Sequence, residues 1–562
     1  MEEVNSRAAA LLALMGELLE ISGEDTFKVR AYYRASEEIR RLTRSIEGMT
    51  EEELLQVTGI GRAIAKKVQE IVRTGTFHEL EEAKARIPST LLDILQLEGV
   101  GPKTVRRLWQ KLEVETLDDL EKAARAHRIR GLKGFGERRE REILEAVQRR
   151  RTSGRRMTRD EAETIVRTIA GAFEGSGFEV AGSYRRGKST LGDLDIVTTA
   201  SPSAVNQRLR RTGCETIEEG ESRTSVRCGE KRVDIRFTRR EEYGTMLIYL
   251  TGSKNFNIRL REIALQRGMK LNEYGIEEKG KGETRRFATE EEVFTALGMD
   301  YIPPELREDG GEIEAVMAHR LPHLLVESEI RGDLHVHSSW SDGHLSLDQL
   351  AEAGAERHYQ YLLCSDHSST LGIAHGLDGE AVRRQISEIE RVNRDSECTL
   401  LSGIEVDILA DGTTGLSASV LKDLDLVIGS VHSAFKQDRD VMTRRIIRAI
   451  ENEHIDIIGH PTGRILGQRE PYDVDMERVI EAAKDGGKAL EINASPHRLD
   501  LDDLFIKEAR ERGVHLSIGT DAHSAQELAY MRYGVMVARR GWCRPSDLLN
   551  TRDIKELLEF SR

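Results

Sequence analysis

DLHVHS, residues 333–338, is the first of seven short apolar runs in the C-terminal part of the chain, each ending in polar residues. The others are LLCSDHS (362–368), LSGIEVD (401–407), VIGSVHS (427–433), DIIGHP (456–461), LEINAS (490–495) and SIGTDAH (517–523). Helix-length amphipathic stretches separate them, so the pattern predicts a strand–helix unit repeated seven times. In a parallel barrel the loops after the strands converge on one face. That face would collect His335, His337, His367, Glu405, His432, His460, Asn493, Asp521 and His523; the region holds twelve of the chain's sixteen histidines. A lone histidine at a strand end is ordinarily a polar cap, and only the clustering carries the ligand reading. Imidazoles and carboxylates without thiols suit Zn²⁺ or Mn²⁺. Cys364, inside the second run, reads as a small apolar residue.

At 562 residues the chain is long enough for three to five domains. Its 38% hydrophobic and 32% charged content places it among soluble globular proteins. No apolar run reaches the roughly 18 residues that span a membrane, and the opening MEEVNSR lacks a signal peptide's features. A cytoplasmic protein without membrane contact is expected. Cys214, Cys228, Cys364, Cys398 and Cys543 are scattered, without a CxxC, and are expected to be free thiols. A net charge of −14 argues against bulk binding of nucleic acid, though not against local basic patches.

The first 150 residues are a periodic helical region with three Gly-x-Gly loops. These are LLQVTGIGRAIAKKV (54–68, with Gly59 and Gly61), ILQLEGVGPKTVRRL (94–108, Gly99 and Gly101) and IRGLKGFGERREREIL (129–144, Gly134 and Gly136). Glycine permits the tight turn, and the helix start behind it presents free N–H groups to an anion such as a phosphodiester. A single such loop can equally be a plain helical turn. Three of them, each followed by basic residues, predict tandem hairpins that grip a DNA backbone without reading sequence. The run RRRTSGRRMTR (149–159) reads as a flexible basic linker, or as a solvated helix end.

In VAGSYRRGKSTLGDLDIVTTA (180–200), Asp193 and Asp195 stand two apart at the start of an apolar strand, on one face of it. KRVDIRF (231–237) places Asp234 inside another strand. Three carboxylates on neighbouring strands can hold two Mg²⁺ ions that align an attacking hydroxyl with a leaving phosphate. Gly182, Ser183, Arg185 and Arg186 can bind the phosphates. Asp-x-Asp alone is also common turn chemistry.

GSYRRGK with GDLDIV, VDIRF, YLTGSKNFN (249–257) and LNEYGI (271–276) together resemble the nucleotidyltransferase core of family X DNA polymerases, the group of DNA polymerase beta. The region from about residue 331 resembles the PHP (polymerase and histidinol phosphatase) domain. The resemblance implies a helical DNA-binding domain with lyase potential (1–80), a helix-hairpin-helix domain (81–150), a palm (151–240) and a nucleotide-binding subdomain (241–315). A linker (316–330) and a seven-stranded (β/α) barrel of PHP type (331–562) follow. Asp193, Asp195 and Asp234 would be catalytic and hold Mg²⁺ or Mn²⁺; Gly182, Ser183 and Arg186 would bind the nucleotide's phosphates. Tyr249, Gly252 and Asn257 would line its sugar and base, and Arg261 would contact the template. Two departures, Leu250 for a usual Phe and Leu191 for a phosphate-binding Ser, imply weaker sugar discrimination than in polymerase beta.

By the same resemblance Lys67 aligns with a Schiff-base lysine that removes 5′ deoxyribose phosphate, or only contacts phosphate, and Lys28 and Tyr32 in FKVRAYYRA (27–35) match DNA-binding positions. At the barrel, His335, His337, Glu405 and Asp521 would hold one ion, Glu405 bridging to a second with His432 and His460. Asp342, His367 and His523 would hold the third. His344, His375 and His497 fit no ligand position; Arg464 reads as a phosphate contact or a solvated residue. The implied activity is gap-filling DNA synthesis in short-gap DNA repair, in base excision repair or end joining, acting as a monomer on gapped or nicked DNA with dNTPs. The barrel would add 3′→5′ exonuclease, with 3′-phosphatase or abasic-site endonuclease as further expectations. A PHP phosphatase of a small metabolite and a non-catalytic DNA-binding scaffold remain as alternatives.

Overall fold

The computed structural model describes residues 2–561 apart from 43–44, 58, 89, 96, 98–99, 133, 154–155, 279–282 and 370–375. The chain divides into two compact units, Met1–Arg155 and Arg156–Arg562. The first is all helix. Helix pairs Glu51–Leu55 with Arg62–Thr74, Thr90–Leu95 with Pro102–Leu112, and Leu117–Arg125 with Glu137–Ser153 flank the three glycine loops. Their apolar faces share a core that includes Leu54, Ile64, Val68, Val105, Leu108, Leu120 and Ile143. The basic run from 149 continues the last helix as far as Ser153, so that part is helix end and not free linker.

The second unit begins with a five-stranded sheet: β1 (Phe178–Val180), β2 (Leu194–Thr198), β3 (Glu215–Glu219), β4 (Arg223–Cys228) and β5 (Lys231–Phe237), in the order β1-β2-β5-β4-β3. Only β2 and β5 pair in parallel. One expectation fails here. Cys214 and Cys228 are joined as a disulfide, because the β3–β4 hairpin brings their Cα atoms to 4.4 Å; only Cys364, Cys398 and Cys543 are free. Two helices, Tyr243–Thr251 and Lys254–Gln266, and a small antiparallel sheet of β6 (Met269–Asn272), β7 (Gly275–Glu278) and β8 (Thr284–Arg285) form the next layer.

The seven predicted strands form one parallel sheet in chain order: β9 (Gly332–Val336), β10 (Tyr361–Cys364), β11 (Thr399–Asp407), β12 (Leu426–Ser430), β13 (Ile457–Ile458), β14 (Ala489–Asn493) and β15 (His515–Gly519). Backbone bonds from Asp521 N to His335 O and from His337 N to Ala522 O, both 2.9 Å, draw the two edges together. Alternation along β11 turns Leu400, Ile404 and Val406 to the surrounding helices, and Leu401 and Glu405 to the other face. Leu363, Ile428, Ile457 and Ala489 join Leu401 there, with Leu557 of the last helix packed on them. The segment before the barrel is itself packed: Leu324 and Leu325 are buried, and Leu325 N donates to Cys543 O.

Candidate active sites

The parallel register of β2 and β5 sets Asp195 directly opposite Asp234, and Asp193 lies exposed just before β2. Gly182 has φ +61°, and a Cβ there would stand 2.6 Å from Asp195 Oδ2, so the Gly182–Arg186 turn can approach this carboxylate only as glycine. Burial, then Asp193 and Asp234, push the Asp195 carboxyl up to about 7. Burial also pushes Asp234 up, but bonds from Ser225 Oγ and Arg223 Nη2, together with the charges of Arg232 and Arg223, outweigh it and hold Asp234 below its usual range. The two facing carboxylates thus differ in basicity, and a divalent cation would relieve the repulsion between them. Arg223, Ser225 and Arg232 were not legible in the sequence.

The two arginines of GSYRR part ways. Arg185 donates to both oxygens of Glu290 at 2.8 Å, and Arg307, fully buried, donates to the same carboxylate at 2.6 and 3.1 Å. Arg185 is therefore a structural tie and not a phosphate ligand, a correction to its expected role. Arg186 donates from Nη1 to Thr251 O and from Nε to Glu308 at 3.0 Å. Asn257 Nδ2 fixes the Tyr249 carbonyl at 2.8 Å, and the Arg261 guanidinium lies 5.6 Å from the centre of the Tyr249 ring. Gly252, at φ +67°, closes the helix that carries Tyr249. Leu250 packs with Ala181, Val197 and Met246, and Leu191 is fully buried, its backbone paired with Met157.

In the helical unit, Gly59 and Gly134 have φ +92° and +84°, and Gly61, Gly101 and Gly136 are exposed at helix starts. Gly99 lies outside the described residues. The third loop differs from the others: Glu140 in its first helical turn is buried and bonded to Arg130 and His127. Lys28 is half-exposed beside Glu24, whereas Tyr32 is 5% exposed, so Tyr32 is a core residue more than a DNA contact. Lys67 Nζ lies 2.5 Å from Glu79 Oε1 in a partly buried pair.

At the barrel mouth the nine expected ligands meet. His335, His337 and Asp521 converge, as do His367, Glu405 and His432, and a third group joins His337, Asp342, His367 and His523. His460 Nε2 is 2.9 Å from Glu405 Oε1 and His432 Nε2 3.2 Å from it. His335 Nε2 and His337 Nε2 face Glu405 and Asp521 at 3.2–3.9 Å while making no hydrogen bond, as donors poised around a common ion would. His367 stands between two groups, with Nδ1 2.9 Å from Glu405 and Nε2 3.6 Å from Asp342. Burial pushes His432 and His523 down, but Glu405 and Asp407 around the first, and Asp342 and Asp521 around the second, hold each up at about 9.

Behind the ligands stand carboxylates that sequence reasoning missed. Glu491 accepts from His335 Nδ1, Asp407 from His432 Nδ1, at 2.6 and 2.7 Å. Such partners fix ring orientation and raise ligand basicity. Asn493 donates to Glu491 and Asp521, so the sixth strand end orients ligands and is not one. Glu491 and Asp407 alternate in phase with recognised strand-end positions, a signal that period-two counting could have found. Arg498 Nε is 3.4 Å from Asp521, and its buried Nη1 has no hydrogen-bond partner. Arg464, expected as a phosphate contact or a solvated residue, bonds the carbonyls of Arg498 and Leu499.

Five family profiles match the sequence: a helix-hairpin-helix domain over residues 3–77, a SAM-like helix-hairpin-helix tandem over 91–149, the DNA polymerase beta palm over 156–226, the DNA polymerase beta thumb over 246–308 and the PHP domain over 333–495. The DNA polymerase/3′-5′ exonuclease PolX of Bacillus subtilis (strain 168) is 36% identical over 561 residues, 98% of each chain. DNA polymerase lambda of Rattus norvegicus is 27% identical over 336 residues, 53% of this chain and 55% of its own. A probable phosphatase of Thermoanaerobacter sp. (strain X514) matches 41% of this chain at 31% identity, over 93% of its own length. No helix among the described residues is long and apolar enough to cross a membrane. Hairpin tandem, palm, thumb and PHP barrel follow one another along a sequence aligned end to end with PolX, and this chain belongs to the family X DNA polymerases that carry a C-terminal PHP domain.

Proposed function

We propose that the chain fills short gaps during DNA repair and trims 3′ ends at its barrel. The observation that carries the polymerase half is Asp234 standing in register with Asp195 on adjacent parallel strands beside the Gly182–Arg186 turn. Asp234, kept ionised by Ser225 and Arg223, accepts charge and orients the primer 3′ hydroxyl. Ser183 and Arg186 receive the triphosphate, Tyr249, Gly252 and Asn257 line the sugar, and Arg261 meets the template. Asp193, Asp195 and Asp234 would hold Mg²⁺ or Mn²⁺; the nine barrel residues would hold up to three Zn²⁺ or Mn²⁺ ions. Such ions neutralise charge on a breaking phosphoester and acidify a bound water. Arg498, with Nη1 unengaged next to Asp521, is placed to receive a phosphate oxygen. The likeness of the barrel to a probable phosphatase supports removal of 3′-phosphates as a second reaction there.

The test uses a 5′-labelled primer on a one-nucleotide gapped duplex, with and without dNTPs. Asp193→Ala/Asp195→Ala is expected to abolish extension and spare shortening, and His335→Ala/His337→Ala to do the reverse. A wild type that binds the duplex but neither extends nor shortens it would leave a scaffold as the better reading.

A further inference from the structure

The turn that carries the phosphate ligands, Gly182–Lys188, is held from behind by the barrel. Helix Met531–Arg540 lies so close that a Cβ on Gly187, at φ +71°, would stand 2.7 Å from Met536 Cγ. At the end of that helix Arg540 is 5% exposed. Its Nη1 donates to the carbonyl of Arg186 and, at 3.2 Å, to Glu308 Oε1; its Nη2 donates to the carboxylate of Asp503 on the neighbouring barrel helix. The same Glu308 oxygen accepts from Arg186 Nε at 3.0 Å and lies 3.2 Å from Lys188 Nζ. One carboxylate oxygen is thus shared by three cations, two from the polymerase turn and one from the barrel.

An ordinary interface clamp would not need this arrangement. Arg539, one residue earlier, is such a clamp: it reaches Glu305 Oε1 at 2.7 Å and Leu325 O at 2.9 Å, neither of which binds nucleotide. Arg540 shares the Glu305 segment, donating to its carbonyl at 3.3 Å, but it alone of the two also touches the backbone of Arg186 and the carboxylate that engages its guanidinium. A triphosphate arriving at Arg186 competes with Glu308 for that guanidinium. The two other cations on Glu308 make the carboxylate easier to leave behind, because it stays paired after Arg186 turns away, and of the two Arg540 is the buried one while Lys188 is partly exposed.

We propose that Arg540, a residue of the PHP barrel, is a positioning residue for the polymerase's nucleotide: it fixes the Arg186 backbone and neutralises Glu308 when Arg186 moves to the triphosphate. This rests on the reading of Arg186 as a phosphate ligand. The experiment measures dNTP KM and kcat for full-length enzyme on a one-nucleotide gap, with exonuclease activity and thermal midpoint on the same preparations. Arg540→Ala is expected to raise KM for dNTP about tenfold with kcat within about twofold and exonuclease retained, the pattern of lost binding in ground and transition states alike. Arg539→Ala, which loosens the same interface, is expected to leave KM near wild type. Equal effects from the two variants, or a wild-type KM in Arg540→Ala beside a raised KM in Arg186→Ala, overturns the positioning role alone. A wild-type KM in Arg186→Ala overturns the ligand reading and this proposal with it. Should Arg540→Ala fail to fold, Asp503→Asn removes only the barrel anchor and is expected to raise KM about two- to threefold; an unchanged KM there overturns the proposal.

Discussion

Glu491 Oε1 sits 2.6 Å from His335 Nδ1, while its other oxygen accepts the backbone N–H of His460 at 2.6 Å. One buried carboxylate from β14 therefore orients two candidate ligands on β9 and after β13. Glu491→Gln keeps the volume but leaves one acceptor oxygen for two N–H donors, so its amide NH2 must face either His335 Nδ1 or the His460 N–H and one of the two ligands loses its anchor. Carboxylates in this position typically contribute 10–100-fold to metal affinity or activity. The expected result is loss of barrel-bound metal by roughly that factor, measured by competition with a chelator, and a parallel fall in 3′→5′ shortening. Extension from a gapped primer is expected to stay at the wild-type rate.

The strand ends that carry ligands were legible because barrel strands are short and their polar terminal residues interrupt apolar runs. Glu491 escaped notice because LEINAS ends visibly at Asn493, two residues later on the same face. The palm triad was legible from Asp-x-Asp and VDIRF, yet the sequence is silent about Ser225, which reaches Asp234 only through the antiparallel β4–β5 register. Arg185 and Arg186 are neighbours in a motif, and nothing local says that one turns to Glu290, 105 residues away. The Cys214–Cys228 bond was hidden for the same reason: hairpin pairing, and not spacing, brings the two together. Tyr32 is expected at DNA only through the resemblance of FKVRAYYRA to a DNA-binding helix, and a motif match does not say which face of the helix turns to the core, where Tyr32 lies.

Glu290 binds two guanidinium groups, one of them fully buried, and this has a stability consequence. Burial pushes the carboxyl up, but Arg307 and Arg185 outweigh that and hold it at about 2. Glu290→Gln leaves both arginines unpaired, which for a broken buried pair costs about 3–5 kcal/mol. Because the folded-state pKa lies below the unfolded value, the contribution is present above about pH 4.5 and fades as pH falls toward 2. Thermal unfolding should therefore show a lower midpoint for the variant at pH 7 and a gap that narrows in acid.

Asp456 runs the other way. It is 7% exposed, accepts Val427 N–H at 2.8 Å, and burial pushes its carboxyl up to about 7 despite Lys488. A carboxyl raised in the folded state costs stability once it must ionise, so the penalty grows as pH climbs from about 4 to 7. Asp456→Asn retains the acceptor and removes the charge. At pH 8 the variant is expected to be more stable by about 2–4 kcal/mol, and at pH 4 indistinguishable from wild type. A midpoint that falls at pH 8 would show that the ionised carboxylate is needed.

Lys67 and Glu79 decide whether the helical unit is a lyase. Schiff-base chemistry needs the Lys67 amine free to reach a sugar aldehyde, and Nζ is instead hydrogen-bonded to Glu79 Oε1 at 2.5 Å. Burial pushes Glu79 up, but the hydrogen bond from Lys67 and its charge outweigh this and hold the carboxyl below its usual range. Glu79 thus holds Nζ away from a substrate unless the incoming 5′ phosphate draws the pair apart. Borohydride trapping on a 5′-deoxyribose-phosphate substrate reads this directly. Glu79→Gln, which removes the charged partner of Nζ, is expected to increase the trapped adduct about three- to tenfold at pH 7. Lys67→Ala should trap nothing. Less adduct in Glu79→Gln would instead make Glu79 a proton acceptor in the reaction, and equal adduct in Lys67→Ala would remove Lys67 from the chemistry.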